Sequence, residues 1–267
     1  MSNRSIDTDT FKILALEILS DFGNICKKHN LRYSVAYGTL LGAVRHKGYI
    51  PWDDDIDVIM PREDFMKFLK FSSELSSSHS LISIYNNKQF SAPLAKIINN
   101  KTLLKQNYQF EKTDLGVYID IFVFDKIPEN SKKVKKAFFI ASFFQKMWNF
   151  SGCELNPQRK TGTIEKKLRI IASKLGIARR ASILMDYYAK TSIGLKWGNL
   201  MFSVYKRKKD ILQQDAFDNL IQLPFENLTV LAFADYKKYL RNWYNDYMKL
   251  PPIEERTLRH TYELYWK

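Results

Sequence analysis

The segment Pro51–Val58 contains four aspartates within five positions, and it limits the folds open to this chain more than any other stretch. Carboxylates this close together repel one another unless a cation lies among them. The last four residues alternate between acidic and apolar. A strand here would therefore place Asp55 and Asp57 on one face and bury the apolar side chains on the other. The segment predicts a strand that presents two metal-binding carboxylates.

A glycine turn precedes the aspartates in Tyr37–His46. Thr39 is suited to cap a short helix, and Gly48 is suited to end it. Backbone N–H groups of Gly38 and Thr39 at the start of such a helix can approach a diphosphate closely. A plain turn between a strand and a helix is the alternative, and the two interpretations are compatible.

Residues 37–58 closely resemble the signature of the LicD family, the phosphocholine and sugar-phosphate transferases related to fukutin and fukutin-related protein. Their superfamily, the nucleotidyltransferase fold, combines a Gly-Ser or Gly-Gly turn, a gap, an acidic-apolar strand and a third acid on a later strand. Gly38-Thr39 and the longer gap depart from that pattern, as is normal for LicD proteins. About twenty matching positions in order make the match specific. The resemblance implies an α/β (α+β) fold, with a mixed sheet of nucleotidyltransferase type flanked by helices and an added helical region.

Asp120 is the one charged residue within a predicted strand over 117–124. A buried carboxylate is costly unless it is paired, and the residues alone leave open a structural hydrogen bond or a salt bridge to a lysine. LicD proteins carry an Asp-Ile-Phe element here, which matches Asp120-Ile121-Phe122. The resemblance implies that Asp55, Asp57 and Asp120 are catalytic and bind Mg²⁺ or Mn²⁺, with Asp120 also a candidate base. Asp53 is a secondary metal ligand or a turn residue. Asp125 has the opposite parity and is expected to end the strand, so it ranks below Asp120.

Several other positions are candidate substrate contacts. Arg45 and His46 lie in the last turn of the predicted helix, where cations are common for dipole reasons alone, and the family signature favours Arg45 as a phosphate or acceptor contact. Lys96 on a predicted strand over 94–98 is either a substrate contact or a solvent-facing edge lysine. Trp52 either stacks on a base or sugar or serves packing.

The C-terminal region also resembles LicD proteins, through Phe225-Glu226, a helix predicted from an Asp235 cap through Met248, and Pro251-Pro252. The resemblance implies that the downstream Arg256 and His260 contact substrate. We expect a catalytic core over 1–128, a basic and apolar helical insertion over 129–215, and a C-terminal helical segment over 216–267 that packs back on the core.

Lys and Arg number 42 against 28 acids, so the surface should attract nucleic acid, anionic lipid or phosphorylated small molecules. Cys26 and Cys153 lack metal-site or disulfide spacing, and no secretory leader pattern is visible, which favours a cytoplasmic setting. Apolar residues alternate with Lys and Arg over 131–180. Helices that simply pack, or a peripheral membrane patch at the inner face of the cell membrane, both explain that pattern.

We expect a LicD-type phosphotransferase that uses a CDP-linked donor such as CDP-choline. It would move phosphocholine, or another phospho-alcohol or phospho-sugar, to a hydroxyl of a glycan acceptor and release CMP. The acceptor would be a cell-surface glycan, a teichoic acid, capsule or lipopolysaccharide precursor that can be lipid-linked. A nucleotidyltransferase that releases pyrophosphate would use the same acids. A non-catalytic nucleic-acid-binding protein would explain the net charge of +14, but no RNA-binding motif is recognisable.

Overall fold

The computed structural model describes residues 4–106, 113–128, 130–152, 162–201, 207–257 and 262–267. They form an α/β protein, which confirms the predicted fold class. In chain order the elements are α1 (Thr8–Lys28), β1 (Ser34–Val35), α2 (Tyr37–Arg45), β2 (Asp57–Pro61), α3 (Arg62–Phe71), β3 (His79–Ile82), β4 (Ala95–Asn99), β5 (Thr102–Gln106), β6 (Tyr118–Ile127), α4 (Ser131–Gly152), α5 (Thr163–Lys174), α6 (Ile177–Lys190), β7 (Lys196–Gly198), β8 (Leu220–Phe225), β9 (Leu228–Phe233), α7 (Tyr236–Tyr244) and β10 (Tyr262–Trp266).

The central sheet is mixed, with strand order β1-β2-β6-β4-β3 and β7 paired to the far part of β6. β2 and β6 run parallel, and the other neighbours run antiparallel. The register places Asp57 opposite Asp120 and Asp120 opposite Lys96. Register partners on adjacent strands project to the same face of a sheet. One face therefore carries all three side chains on neighbouring strands.

Helix α1 supplies much of the core beside this sheet, and it packs against β4 and β6. It begins at Asp7, whose Oδ1 accepts a hydrogen bond of 2.8 Å from the Thr10 N–H. Its apolar residues at helical spacing are buried, and they include Phe11, Leu14, Ile18, Phe22 and Ile25. Burying an aliphatic or aromatic side chain contributes about 1.5–3 kcal/mol, so this helix anchors the sheet strongly.

Helices α4, α5 and α6 pack on one another and form the added helical region. A buried charge network joins this region to the sheet. Arg62 at the start of α3 donates to both carboxylate oxygens of Asp125, at 2.8 and 2.7 Å, and to Asp186 of α6 at 2.5 Å. Asp125 therefore has a structural partner. β6 continues beyond it to Ile127, so the prediction that Asp125 ends the strand is wrong.

The β8–β9 hairpin closes over the turn that follows α2. At its tip, Glu226 accepts from the Tyr49 N–H at 2.9 Å, while its own N–H donates to the Lys47 carbonyl at 2.8 Å. A methyl group built on Gly48 would lie 2.1 Å from Oε1 of Glu226, so only glycine allows this approach. The strand β10 pairs with β5, and the Ile6 N–H donates to the Leu264 carbonyl at 2.8 Å.

Several predicted boundaries differ from the observed ones. β2 begins at Asp57, so Asp55 lies in the extended segment before the strand. The cap of α2 is Ala36, without a side-chain hydrogen bond, and Lys47 with φ of +59° adopts the left-handed conformation expected for Gly48. α7 ends at Tyr244 instead of Met248, because Asn245 with φ of +57° turns the chain. No helix in the described ranges is long and apolar enough to cross a membrane.

Candidate active site

Asp57 and Asp120 are the centre of the candidate site, because the parallel pairing of β2 and β6 sets them side by side. Adjacent strands lie about 4.7–4.9 Å apart, so their carboxylates project from neighbouring positions. The backbone of Asp57 is fixed by two bonds: its N–H donates to Oγ1 of Thr39 at 2.8 Å, and its carbonyl accepts from the Ala36 N–H at 3.0 Å. The site therefore has a rigid base.

Asp57 lies in an electrostatic environment that opposes its ionisation. Burial, followed by the carboxylates of Asp55, Asp120 and Asp53, raises its pKa well above the usual value, and Lys96 lowers it. The carboxylates at this face are therefore near enough to repel one another. Within the described residues, no three His, Cys, Asp or Glu side chains stand close enough together to hold a metal ion by themselves.

Lys96 lies on an interior strand of the sheet and is buried, so the alternative of a solvent-facing edge lysine is wrong. Its Nζ lies 2.5 Å from Oδ1 of Asp120 and 3.4 Å from the centre of the Tyr118 ring. The structural salt bridge that the sequence left open for Asp120 is therefore present. It occupies one carboxylate oxygen of Asp120.

Gly38 and Thr39 have roles at the start of α2 that differ from the predicted cap. Thr39 is buried, and its hydroxyl accepts the Asp57 N–H. A methyl group built on Gly38 would lie 2.3 Å from Oδ2 of Asp53, so the Asp53 carboxylate occupies the space beside the helix N-terminus. A negative group is favourable there because of the helix dipole. Asp53 also closes the turn after Ile50, with an N–H to carbonyl bond of 2.9 Å.

Tyr37 is a site residue that the sequence reasoning missed. It has φ of +45° directly before Gly38, a conformation that is uncommon for a bulky residue. Its hydroxyl donates to Oδ1 of Asp210 at 3.1 Å. Burial, followed by Asp210 and Asp57, raises the pKa of Tyr37 well above its usual value. Tyr37 thus places a neutral phenol beside the acids. The sequence offered no signal, because Asp210 lies far along the chain.

A cleft of about 450 Å³ opens at the start of α2, and Asp53 of the aspartate cluster lines it. Four predicted site residues line it together with aromatic and acidic side chains of the C-terminal region; the lining includes Gly38, Arg45, Trp52, Asp53, Tyr244, Asp246, Tyr247, Lys249 and Glu255. The structure therefore brings the signature region and the C-terminal region to one cavity.

Arg45, His46 and Arg256 border this cleft in packed positions. Arg45 donates from Nη1 to the carbonyls of Tyr247 at 3.0 Å and Lys249 at 3.3 Å. Burial, with a contribution from Arg256, lowers the pKa of Arg45, and burial and Arg45 lower that of His46.

The guanidinium of Arg256 lies 5.3 Å from the Trp52 ring, so Trp52 is packed at the mouth of the cleft. His260 lies outside the described residues. The roles of all predicted site residues in binding stay predictions.

The donor set of this face fits a hard divalent cation. Magnesium prefers carboxylate oxygens and is usually held by one or two carboxylates, with substrate phosphate and water completing six ligands. Asp57 and the oxygen of Asp120 that Lys96 leaves available meet that requirement. A bound cation would relieve the repulsion between Asp57 and its neighbouring carboxylates.

The matching family model covers residues 30–170, and its description is LicD/FKTN/FKRP, nucleotidyltransferase domain. It therefore includes β2, β4 and β6, which carry Asp57, Lys96 and Asp120.

Curated relatives extend the likeness. The chain is 29% identical over 95% of its length, and 96% of the relative's, to the lipopolysaccharide cholinephosphotransferase LicD of Haemophilus influenzae. An uncharacterized protein of Rickettsia prowazekii is 32% identical over 45% of this chain and 42% of its own length. One of Rickettsia typhi is 45% identical over 21% of this chain and 19% of its own length.

Proposed function

The chain belongs to the LicD family, and from that premise we propose that it is a metal-dependent phosphotransferase. It moves phosphocholine, or a related phospho-alcohol or phospho-sugar, from a CDP-linked donor to a hydroxyl of a cell-surface glycan and releases CMP. The pairing of Asp57 with Asp120 on one sheet face is the observation that carries the proposal. The similarity to a cholinephosphotransferase along nearly its whole length supports the choice of reaction.

Asp57 and Asp120 hold the cation, and Asp55 and Asp53 add negative charge around it. A bound magnesium ion neutralises phosphate oxygens and helps to align the attacking and leaving groups. Side chains of the protein provide the remaining chemistry. Lys96 fixes Oδ1 of Asp120, so the second oxygen keeps one orientation. That oxygen is placed to bind the cation or to accept the proton of the incoming hydroxyl.

The cleft has the composition that suits a choline-bearing donor. Trp52, Tyr244 and Tyr247 offer aromatic surface, and Asp246 and Glu255 offer negative charge. Quaternary ammonium groups are recognised by aromatic rings through cation–π attraction, which contributes about 0.5–2 kcal/mol per ring.

Two cationic side chains, Arg45 and Lys249, line the same cleft. They suit the diphosphate of the donor, since Lys and Arg are the usual partners of phosphate groups.

The acceptor in this proposal is a glycan hydroxyl. The relative's name gives lipopolysaccharide, and teichoic acid and capsule precursors offer the same chemistry. Such precursors carry the hydroxyl on a sugar. The reaction requires only that this oxygen reach Asp57 and Asp120. We place the reaction in the cytoplasm, where nucleotide-linked donors are made.

The test is an assay of the purified chain with magnesium and a panel of CDP-linked donors, including CDP-choline. We expect CMP to accumulate in step with a glycan phosphodiester. Release of pyrophosphate from a nucleoside triphosphate would instead indicate a nucleotidyltransferase. Neither product with any donor, together with salt-sensitive binding to bulk DNA, would indicate a nucleic-acid-binding protein.

A further inference from the structure

Most of the large apolar side chains exposed on the described surface lie on α4, α5, α6 and the segment after them. The catalytic sheet and its helices expose few. Soluble monomers rarely expose contiguous apolar surface on this scale unless it serves an interaction. The exposed side chains are Phe139, Phe143, Ile164, Leu168, Ile170, Ile171, Leu175, Ile183, Leu184, Tyr187, Ile193 and Leu195.

Helix α5 exposes the most regular part of this surface. Ile164, Leu168, Ile171 and Leu175 follow one another at intervals of four, three and four residues, so they form one stripe along a helix about 18 Å long. They are 76, 52, 52 and 56% exposed. Ala172, one turn after Leu168, is buried on the neighbouring face of the helix.

Arg169 also holds α5 in this orientation, because it donates to the carbonyls of Asn149 and Phe150 at the end of α4. The stripe lies beside this contact face and stays exposed.

The charges around the stripe are almost all positive. Glu165 and Asp186 are the only acids in α4, α5 and α6, and each is ion-paired: Glu165 with Arg169 at 3.0 Å, and Asp186 with Arg62 and Lys190. The basic side chains exposed on these helices are Lys132, Lys133, Lys135, Lys136, Lys146, Lys166, Lys167, Lys174, Arg180 and Lys190.

We propose that α4, α5 and α6 form a membrane-docking surface, in which the α5 stripe enters the headgroup region of an anionic bilayer and the surrounding lysines bind lipid phosphates. An amphipathic helix with an apolar stripe and basic flanks is the arrangement that binds such an interface. Charge complementarity favours an anionic membrane over the other possible partners of this surface. A nucleic acid would leave the stripe in water, and a second copy would bring equally basic surfaces together.

The experiment is flotation of the full chain with vesicles of phosphatidylcholine alone, or with about one-third phosphatidylglycerol. We expect binding to the anionic vesicles only. Raising salt from about 0.1 M to about 1 M shortens the Debye length from about 10 to about 3 Å and should weaken that binding. The readout does not use donor or acceptor, so its outcome is independent of the proposed reaction.

Two variants and two matched controls sharpen the test. Leu168→Glu/Ile171→Glu changes the stripe, whereas Ile13→Glu changes an equally exposed residue on α1, 58% exposed. We expect the stripe variant to lose binding by about tenfold or more and the control to keep it. Lys167→Glu/Lys174→Glu should lose a similar amount, while Lys27→Glu/Lys70→Glu, on α1 and α3, should not.

Four results would overturn the proposal. They are absence of wild-type flotation, equal flotation of the stripe variant, a stripe-dependent dimer in size-exclusion chromatography without flotation, or DNA binding without flotation. A thermal unfolding curve for each variant shows that the fold is retained.

Discussion

The Nζ atom of Lys96 lies 2.5 Å from Oδ1 of Asp120, on the sheet face that Asp57 shares. Lys96 thus faces two carboxylates on neighbouring strands, and the Asp55 and Asp53 carboxylates help to raise the pKa of Asp57. Burial strengthens these interactions, because water screens them less. Lys96 orients Asp120, and a divalent cation held by Asp57 and Asp120 would offset the repulsion between the carboxylates.

Replacing Lys96 with Met should lower turnover about 10–100-fold, because the carboxylate of Asp120 loses the group that orients it. The measurement is kcat for CMP release. Lys126→Met is the matched control, since Lys126 also lies on the sheet, but its Nζ lies 3.5 Å from the centre of the Trp197 ring and donates to the Leu195 carbonyl. Equal activity of the two variants would contradict an orienting role for Lys96.

Asp57→Asn should reduce turnover about 1000-fold or more, because several kcal/mol of transition-state stabilisation depend on the cation that the carboxylate holds. The fold should persist, since the backbone bond to Thr39 is unchanged. Circular dichroism checks the fold, and Asp235→Asn on the surface is the control. Near-normal activity of Asp57→Asn would remove Asp57 from the site.

Magnesium should raise the thermal unfolding midpoint of the wild type, and a chelator should reverse the shift. A ligand at one hundred times its Kd stabilises the native state by about 2.7 kcal/mol. The shift should be absent in Asp57→Asn, whose amide does not supply the charge. A shift of the same size in both proteins would show that the ion binds elsewhere.

Gly38→Ala should cost about 100-fold in activity, since the added methyl group would lie 2.3 Å from Oδ2 of Asp53 and must displace that carboxylate. Gly162→Ala provides the control, because no atom lies within 4 Å of the corresponding position. Steady-state kinetics of both variants test this. Unchanged kinetics of Gly38→Ala would mean that the position of Asp53 does not matter to turnover.

Asp125→Ala should destabilise the protein by about 3–5 kcal/mol, because it leaves Arg62 buried without its bidentate partner. Asp218→Ala removes an exposed partner of Arg32 and should cost about 0–1 kcal/mol. The two aspartates are 4 and 62% exposed. Urea unfolding measures both. Equal effects would show that the buried network adds little to stability.

The sheet face could be predicted from the sequence, since strand parity alone separates Asp120 from Asp125. Parity holds wherever a strand is regular, and it assigned each acid to one face of its own strand. That Asp57 and Asp120 belong to one site was implied by the family resemblance. The burial of the α1 stripe was predictable for the same reason, since the spacing of Phe11 and Leu14 is local information.

Features that depend on distant parts of the chain could not be predicted. Lys96 was open to two interpretations because its neighbour strands were unknown. Asp125, the bidentate partner of Arg62, lies 63 residues away, and Asp210, which accepts from Tyr37, lies 173 residues away. Thr39 looked like a helix cap, yet its hydroxyl binds a strand that follows. Local chemistry proposes several partners for a polar side chain, and tertiary packing selects one.

The bond between Glu226 and the Tyr49 N–H spans 177 residues. A ribosome that adds about 5–20 residues per second needs roughly 10–35 s to deliver Glu226 after Tyr49 has been made. During that interval the turn before the aspartates has no hairpin to close it. The nascent chain is therefore open to proteases and chaperones at the segment that leads into the candidate acids until the hairpin has been made.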